Sequence, residues 1–175
     1  FERPGIGVIL KTTNGGANWQ SIQLSPQLGL EEGNIELRSV HFLDASLGYL
    51  CASGTFGSGS ILKSIDGGNN WKEDDYFPIA RPSEITFSVR NDTAVGFLVG
   101  GSGIIRTSFE YLGGEFTGNS GNYPGWVAVN SGTTGFVTAA DYINPFVAFC
   151  VGGDPAGSEV GMILRTINGG QTWTR

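Results

Sequence analysis

Few side chains in this sequence could carry out catalysis. The chain has one histidine, His41, and two cysteines, Cys51 and Cys150. One imidazole and two thiols do not predict a zinc site of the usual ligand types, so no metal site and no cofactor are expected. His41 lies in an alternating stretch that is typical of a β-strand, which favours a partly exposed structural side chain over a nucleophile or base. No catalytic residue is therefore assigned.

Candidate binding side chains are concentrated in the segment DDYFPIARP, residues 74–82. Its acidic, aromatic and basic members are Asp74, Asp75, Tyr76 and Arg81. Arg38 is a further candidate cation, and the two prolines of the segment would stiffen its backbone. Two interpretations stay open: a ligand loop that offers carboxylates and a guanidinium, or a solvated link between structural repeats.

A second candidate is the Gly-rich stretch SFEYLGGEFTGNSGNYPG, residues 108–125. Long loops in compact domains are often functional, and exposed aromatic side chains can stack on sugars or dock partners. The aromatic candidates here are Phe109, Tyr111, Phe116 and Tyr123. The same side chains could equally cover the end of a structural repeat.

Composition limits the fold and the partners. Hydrophobic residues make up 39% of the 175 residues and charged residues 15%, which indicates a packed domain rather than a disordered chain. The 29 glycines are typical of short strands joined by tight turns. Because the net charge is −6 and no Lys/Arg run exists, no nucleic-acid partner is expected. No apolar run is long enough to predict a membrane-spanning helix.

An internal repeat dominates the sequence. Residues 9–19 read ILKTTNGGANW, residues 61–71 read ILKSIDGGNNW and residues 163–173 read ILRTINGGQTW. A period of about 50 residues with strand-like content predicts the blades of a β-propeller. The tryptophans that set this period are Trp19, Trp71, Trp126 and Trp173.

Each repeat predicts four strands, A to D, with a basic residue on C and the Trp at the start of D. The second strand of each repeat has a small residue before an aromatic one: Gly48-Tyr49, Gly96-Phe97 and Ala148-Phe149. We expect one propeller segment over 1–175, with a partial blade at 7–24 and three blades at 35–76, 84–130 and 135–175. A fourth copy of the C strand, IIRTSF at 104–109, is followed by the insertion noted above.

The turn between strands C and D has its own structural chemistry. An Asp or Asn side chain can accept hydrogen bonds from turn N–H groups, a Gly can adopt positive φ, and the Trp can pack back over the hairpin. We therefore predict structural roles for Asn14, Gly16, Trp19, Asp66, Gly68, Trp71, Trp126, Asn168, Gly170 and Trp173.

The pattern S/T-x-D/N-x-G-x-x-W resembles the Asp-box, or BNR, repeat of sialidase-like propellers. The longer stretch LRSVHFLDASLGYLCASG with GSILKSIDGGNNW is similar to the photosystem II stability/assembly-factor-like repeat proteins. The resemblance covers nearly the whole chain. It implies an all-β fold, a β-propeller of four-stranded antiparallel blades with Asp-box turns between strands C and D. About three and a half blades are present, as a partial or half propeller.

The same resemblance implies where ligands bind and where the protein acts. Ligands are expected on the face formed by the D–A and B–C loops, away from the Asp boxes. The corresponding loops are residues 25–36, 53–60, 74–84, 100–103, 130–135 and 152–161. Many members of the second group are secreted bacterial proteins, which implies a secreted, periplasmic or cell-surface location, and the first residue, Phe1, is not Met.

Three functions remain open at this point. The first is a non-enzymatic binding or assembly scaffold for a protein or carbohydrate partner. The second is part of a glycoside hydrolase, sialidase- or xyloglucanase-like, whose active site other blades complete; loop carboxylates such as Asp154 and Glu159 would then be candidates. The third is a structural adhesin module. A sialidase needs an arginine cluster near the starts of its A strands. Here only Arg38 lies at such a start, and the corresponding positions in the other two blades are near Glu84 and Gly135, which are not basic.

The state of assembly also stays open. The chain would begin at a C strand and end at a D strand, so its two ends do not complete one blade. This predicts either a piece of a longer propeller or a half-ring that self-associates through open blade edges. Cys51 and Cys150 lie two blades apart in this arrangement, which predicts buried free thiols rather than a disulfide.

Overall fold

The fold is built entirely from antiparallel β-sheets in the computed structural model. It describes residues 7–24, 35–54, 58–78, 81–112, 125–153 and 161–175. Within these ranges the strands are joined by turns and by one short 3-10 turn at Gly101–Gly103, with no α-helix. The chain divides into two compact units, residues 1–79 and 80–175, which are considered separately below.

The first compact unit contains a two-stranded hairpin and one four-stranded sheet. The strands are β1 (Val8–Lys11), β2 (Gln20–Gln23), β3 (Glu36–Phe42), β4 (Gly48–Ser53), β5 (Gly59–Ser64) and β6 (Lys72–Phe77). β1 pairs with β2, and β3 to β6 pair in sequence order. The hairpin is the partial blade of the sequence prediction, and β3 to β6 are strands A to D of the first blade.

The second compact unit contains the other two blades. Its strands are β7 (Pro82–Arg90), β8 (Thr93–Gly100), β9 (Ile105–Tyr111), β10 (Val127–Val129), β11 (Phe136–Asn144), β12 (Val147–Gly153) and β13 (Met162–Thr166). β7 to β10 form a four-stranded sheet, and β11 to β13 form a three-stranded one. Where the sequence predicts the D strand of the third blade, the structure has a single bridge between Arg165 and Thr174.

The small residue of each B strand lies opposite an aromatic side chain on strand A. Gly48 pairs with Phe42 and Gly96 pairs with Phe87, whereas in the third blade Ala148 pairs with Tyr142. A Cβ at Gly48 would lie 2.6 Å from the ring of Phe42, so the aromatic ring occupies the space that a side chain would need.

The same aromatic rings support the tryptophans edge-on. The ring centroids of Phe42 and Trp71 are 5.9 Å apart, and those of Phe87 and Trp126 are 5.7 Å apart. In the third blade Trp173 meets Phe97 from the preceding blade at 5.2 Å. Edge-to-face packing of this kind adds to the area that a buried Trp removes from water.

The C–D turns of the hairpin, the first blade and the third blade share one hydrogen-bonding pattern. In the first blade the Asp66 carboxylate accepts hydrogen bonds from the backbone N–H groups of Asn69 and Asn70, at 3.0 and 2.9 Å. Ser64 Oγ accepts from the N–H of Gly68 at 2.9 Å. Asn14 and Asn168 accept equivalent bonds, and the two glycines of every such turn have positive φ. The turn conformation is therefore specified by the local sequence.

Trp19 and Trp71 each lie over the second glycine of their own turn, but the two side chains differ in exposure. The side chain of Trp19 is 59% exposed, whereas Trp71 is 1% exposed, although both follow the same turn sequence. Trp71 is buried because it packs in one cluster with Leu24 of the hairpin and edge-on against Phe42.

Two predicted loops begin or end in strands. Asp74, Asp75 and Tyr76 lie on β6 rather than in a loop, because β6 continues its pairing with β5 as far as Phe77. The stretch at 108–125 begins as strand, since β9 pairs with β8 through Tyr111. Residues Phe116 and Tyr123, like Asp154 and Glu159, lie outside the described residues.

The two thiols agree with the sequence prediction. Cys51 and Cys150 are both buried, and neither forms a disulfide within the described residues. Burial raises the pKa of Cys150 to about 12, so the thiol stays protonated at neutral pH. His41 lies half-buried on β3, and burial lowers its pKa, as expected for an imidazole that is partly removed from water.

Candidate functional site

A pocket of about 600 Å³ opens on the second compact unit where three turns meet. The A–B turn of the second blade contributes Arg90 and Asn91, and the A–B turn of the third blade contributes Pro145 and Phe146. The C–D turn of the third blade, residues 167–169, closes it, with Phe109 of β9 along one wall. We call this the turn-face pocket. It lies on the opposite edge of the blades from the loops that the sequence resemblance implies for ligands.

Short hydrogen bonds fix the turns around this pocket. Asn91 has a φ of 54°, the left-handed conformation that a two-residue hairpin turn requires and that Asn tolerates. Asn144 Oδ1 accepts from the N–H groups of Phe146 and Val147, at 2.9 and 3.1 Å. The N–H of Gly169 donates to the carbonyl of Phe146 at 2.9 Å and ties the two turns of the third blade together. Hydrogen bonds of backbone N–H groups thus fix the turns that form the walls of the pocket.

The walls of the pocket are apolar and open to solvent. Phe109, Phe146 and Ile167 are all exposed large hydrophobic side chains, and Val95 lies buried beneath them. Clusters of exposed apolar side chains around a concave surface are a feature of protein-interaction sites, whereas single exposed ones need no explanation. The arrangement can take up an apolar side chain of another molecule.

The polar part of the pocket is small and positively charged. Of the described residues that line it, Arg90 alone is charged, and the amides of Asn91 and Gln171 lie alongside. Among the described residues the Arg90 side chain is exposed and takes part in no ion pair or hydrogen bond. In a chain of net charge −6, this pocket presents an exposed cation beside apolar walls.

A second depression, of about 490 Å³, lies in the first compact unit beside β6. Asp74 lines it, together with two lysines, a glutamate and the turn residue Asp66. Asp74 is the extra residue of a β-bulge, because Ile61 pairs with Asp75 and Leu62 with Glu73. The close mixture of both charge signs gives this depression no preference for one kind of ion.

The remaining predicted site residues are not gathered in one place. Arg38 is the bulged residue of β3 and donates to the Glu36 carboxylate at 2.6 Å. Tyr76 is exposed on β6, and Asp75 Oδ1 accepts from its N–H at 2.9 Å. Arg81 lies exposed before β7 in the other compact unit. Tyr111 ends β9.

The residues that form the turn-face pocket were mostly missed at the sequence level. Phe109 was recognised as a candidate, and Asn168 only as a structural residue. Ile167 carries a readable signal, since it occupies the variable position of the C–D turn, which points to solvent, and yet it is apolar. Arg90 and Phe146 lie in A–B turns whose meeting depends on the packing of two blades, and no local pattern reveals this.

Among the described residues no group of His, Cys, Asp and Glu side chains is arranged to hold a metal ion. The described part of the chain also has no helix with the length and apolar content that crossing a membrane requires.

The sequence matches no protein-family profile and no curated protein. The solved structures that match include two of YCF48, of which the first is similar in fold. YCF48 from Cyanidioschyzon merolae superposes with a TM-score of 0.63 and 20% identity over 97% of this chain, which spans half (50%) of the length of that protein. A structure titled YCF48 bound to D1 peptide gives 16% identity over 98% of this chain and 75% of that one, with a TM-score of 0.44, too low to establish a shared fold.

These findings confirm the expected fold class, an all-β partial propeller of antiparallel blades. The resemblance to photosystem II stability/assembly-factor-like repeat proteins is likewise confirmed as a likeness of fold.

Proposed function

We propose that this chain is a non-enzymatic scaffold that binds an extended segment of a protein partner in the turn-face pocket. The pocket takes an apolar side chain of that segment, and an acidic side chain next to it pairs with Arg90. The observation that carries the proposal is the combination of three exposed apolar side chains with one exposed guanidinium around a volume of about 600 Å³.

The apolar walls provide the affinity. Interface energy is concentrated in a few apolar or aromatic anchors that fill desolvated pockets. Phe146 lies on the A–B turn of the third blade and Ile167 on its C–D turn, and both side chains are exposed. A side chain inserted into the pocket would remove both from water. Because hydrogen bonds already fix these turns, binding requires little ordering of the scaffold, which lowers its entropic cost.

The guanidinium provides the selectivity. Arg pairs with carboxylates through two parallel hydrogen bonds, which are stronger than bonds between neutral groups. Arg90 lies at the start of a tight turn and lines the pocket next to Asn91. A segment with an Asp or Glu beside its apolar anchor therefore fits, whereas a Lys at that place would meet a like charge.

Selection from a phage-displayed random peptide library tests this function. We expect enrichment of peptides that combine an aromatic or large aliphatic residue with an acidic neighbour. Phe146→Ser and Ile167→Ser should each weaken the selected peptides by about tenfold or more, as expected for a loss near 1.4 kcal/mol at an anchor contact. Both side chains are exposed, so the fold should tolerate the changes.

Ile65→Ser is the matched control, since Ile65 occupies the same turn position in the first blade and lies outside this pocket. No enrichment from the library would contradict the protein-binding function. Enriched peptides that bind the two pocket variants as well as they bind the control would contradict the location. Soluble glycans tested in parallel address the carbohydrate alternative: displacement of a selected peptide by a glycan would favour it.

A further inference from the structure

Two side-chain amides at the turn-face pocket are not used by the fold. Asn91, in the A–B turn of the second blade, and Gln171, in the C–D turn of the third, both line the pocket and are exposed. No hydrogen bond joins either side-chain amide to another described residue. Asn168 differs, because its Oδ1 accepts from the N–H of Thr172 at 3.0 Å and its Nδ2 donates to Thr172 Oγ1 at 2.9 Å. Of these three amides, those of Asn91 and Gln171 are available to a ligand.

The first blade shows that a free amide is not a general property of the C–D turn. Its residue at the same repeat position as Gln171 is Asn69, whose Nδ2 donates to the carbonyl of Asp66 at 2.7 Å. The Oδ1 of Asn69 accepts from Lys11 Nζ at 2.8 Å. The longer side chain of Gln171 forms no counterpart of either bond with a described residue. The third blade thus carries, beside the pocket, an amide that its own turn does not require.

The apolar walls and Arg90 by themselves fit two classes of ligand, a peptide with an acidic side chain or a small apolar carboxylic acid such as a fatty acid. The two classes differ because a peptide also brings backbone N–H and C=O groups into the pocket, and each group that loses water without a partner costs binding energy. A carboxamide has both donors and an acceptor, so it can bind both groups of a peptide bond. The hydrocarbon chain of a fatty acid would instead cover the amides without replacing their water.

We propose that Asn91 and Gln171 bind the main chain of an extended peptide beside its apolar anchor. This inference rests on the peptide-binding function proposed for the pocket and names the part of the ligand that is recognised. The two amides belong to turns of different blades, and both turns are fixed. Asn91 lies in a two-residue turn with a φ of 54°, and the N–H of Gly169 donates to the carbonyl of Phe146. The peptide therefore meets amides on a prearranged backbone, which lowers the cost of ordering.

Calorimetric titration of the full chain with a library-selected peptide and its N-methylated analogues tests this inference. Each analogue replaces one backbone N–H near the anchor by N–CH3 and keeps all side chains. We expect at least one analogue to bind about tenfold more weakly than the parent peptide, a difference of about 1.4 kcal/mol. Octanoate, added as a small apolar acid, should not displace the parent peptide.

Two variants of the chain assign the lost bond to a residue. Gln171→Leu removes one amide from an exposed position, and Asn91→Gly removes the other where Gly readily adopts the positive φ. Each variant should bind the parent peptide about tenfold more weakly, and the analogue methylated at the bond it recognises should lose little further affinity. A double-mutant cycle measures this coupling. Gln20→Leu is the matched control, because Gln20 is exposed in the first compact unit and lies outside the pocket.

The outcomes separate this inference from the function on which it rests. Coupling between a methylated position and Gln171 or Asn91 would confirm main-chain recognition. If the analogues and both variants bind like their parents while Phe146→Ser still weakens the peptide, main-chain recognition is wrong and the peptide-binding function stands. If no peptide binds but octanoate does, and Phe146→Ser weakens octanoate binding, both are overturned, because the pocket then binds a small acid.

Discussion

Replacement of Trp71 by alanine is the sharpest test of how the blades are held together. The side chain is 1% exposed, packs edge-on against Phe42 and donates from Nε1 to the carbonyl of Gly68 at 3.0 Å. Trp71→Ala removes this contact area and leaves a cavity, for which a cost of about 3–5 kcal/mol is usual. The lost hydrogen bond adds to that cost because it leaves the Gly68 carbonyl without its donor.

Trp19→Ala provides an internal control within the same compact unit. Trp19 follows the same turn sequence but is 59% exposed, so its removal should cost well under about 1 kcal/mol. The free energy of unfolding of both variants is measured by urea titration with far-UV circular dichroism as the signal. Equal m-values would show that differences in the urea midpoints report differences in stability. Equal losses for the two variants, or a loss below about 1 kcal/mol for Trp71→Ala, would refute the packing described for the first blade.

Three further predictions concern a carboxylate, a glycine and the thiols. Hydrogen bonds to the Asp66 carboxylate, of which that from the N–H of Asn70 has the largest effect, lower its pKa to about 2. The ionised carboxylate therefore stabilises the fold above about pH 4, and this stabilisation is lost as the pH falls towards 2. Thermal unfolding should therefore show a weaker acid dependence in Asp66→Asn than in the unmodified chain, and identical dependence would count against the turn geometry. Gly103→Ala should lower the free energy of unfolding by more than about 1 kcal/mol, because Gly103 has positive φ and a Cβ would overlap the Thr133 carbonyl. The control Gly125→Ala should be near neutral, since a Cβ there has open space. Denaturant midpoints compare the two variants. Cys51 and Cys150 should react with Ellman's reagent only after unfolding, and rapid reaction of the folded chain would contradict their burial.

Sequence patterns predicted the parts of the fold that depend on neighbouring residues. The C–D turns were readable because Asp66 or an Asn, the preceding Ser or Thr and two glycines act within a few residues of one another. The small residue of each B strand was also visible in the sequence. The strand pairing shows why it is small, because the ring of Phe42 or Phe87 in the adjacent strand occupies the space beside it.

The errors came from contacts between elements that are distant in sequence. Trp19 and Trp71 follow similar turn sequences, so nothing local could show that Trp71 is buried in a cluster of distant residues while Trp19 is exposed. The acidic run that begins at Asp74 resembled a loop because its charges suggest solvent, but an edge strand such as β6 tolerates exposed charges on its outer side. The turn-face pocket depends on how two blades pack, and it was therefore beyond pattern analysis.

The most direct test of the proposed function is an NMR map of the backbone amides during titration with the tightest peptide from the library selection. The account predicts that the shift changes cluster at Arg90, Phe146 and Ile167, with little change along β6. Changes centred on Asp74 and Tyr76, or on the loops at the other edge of the blades, would contradict it.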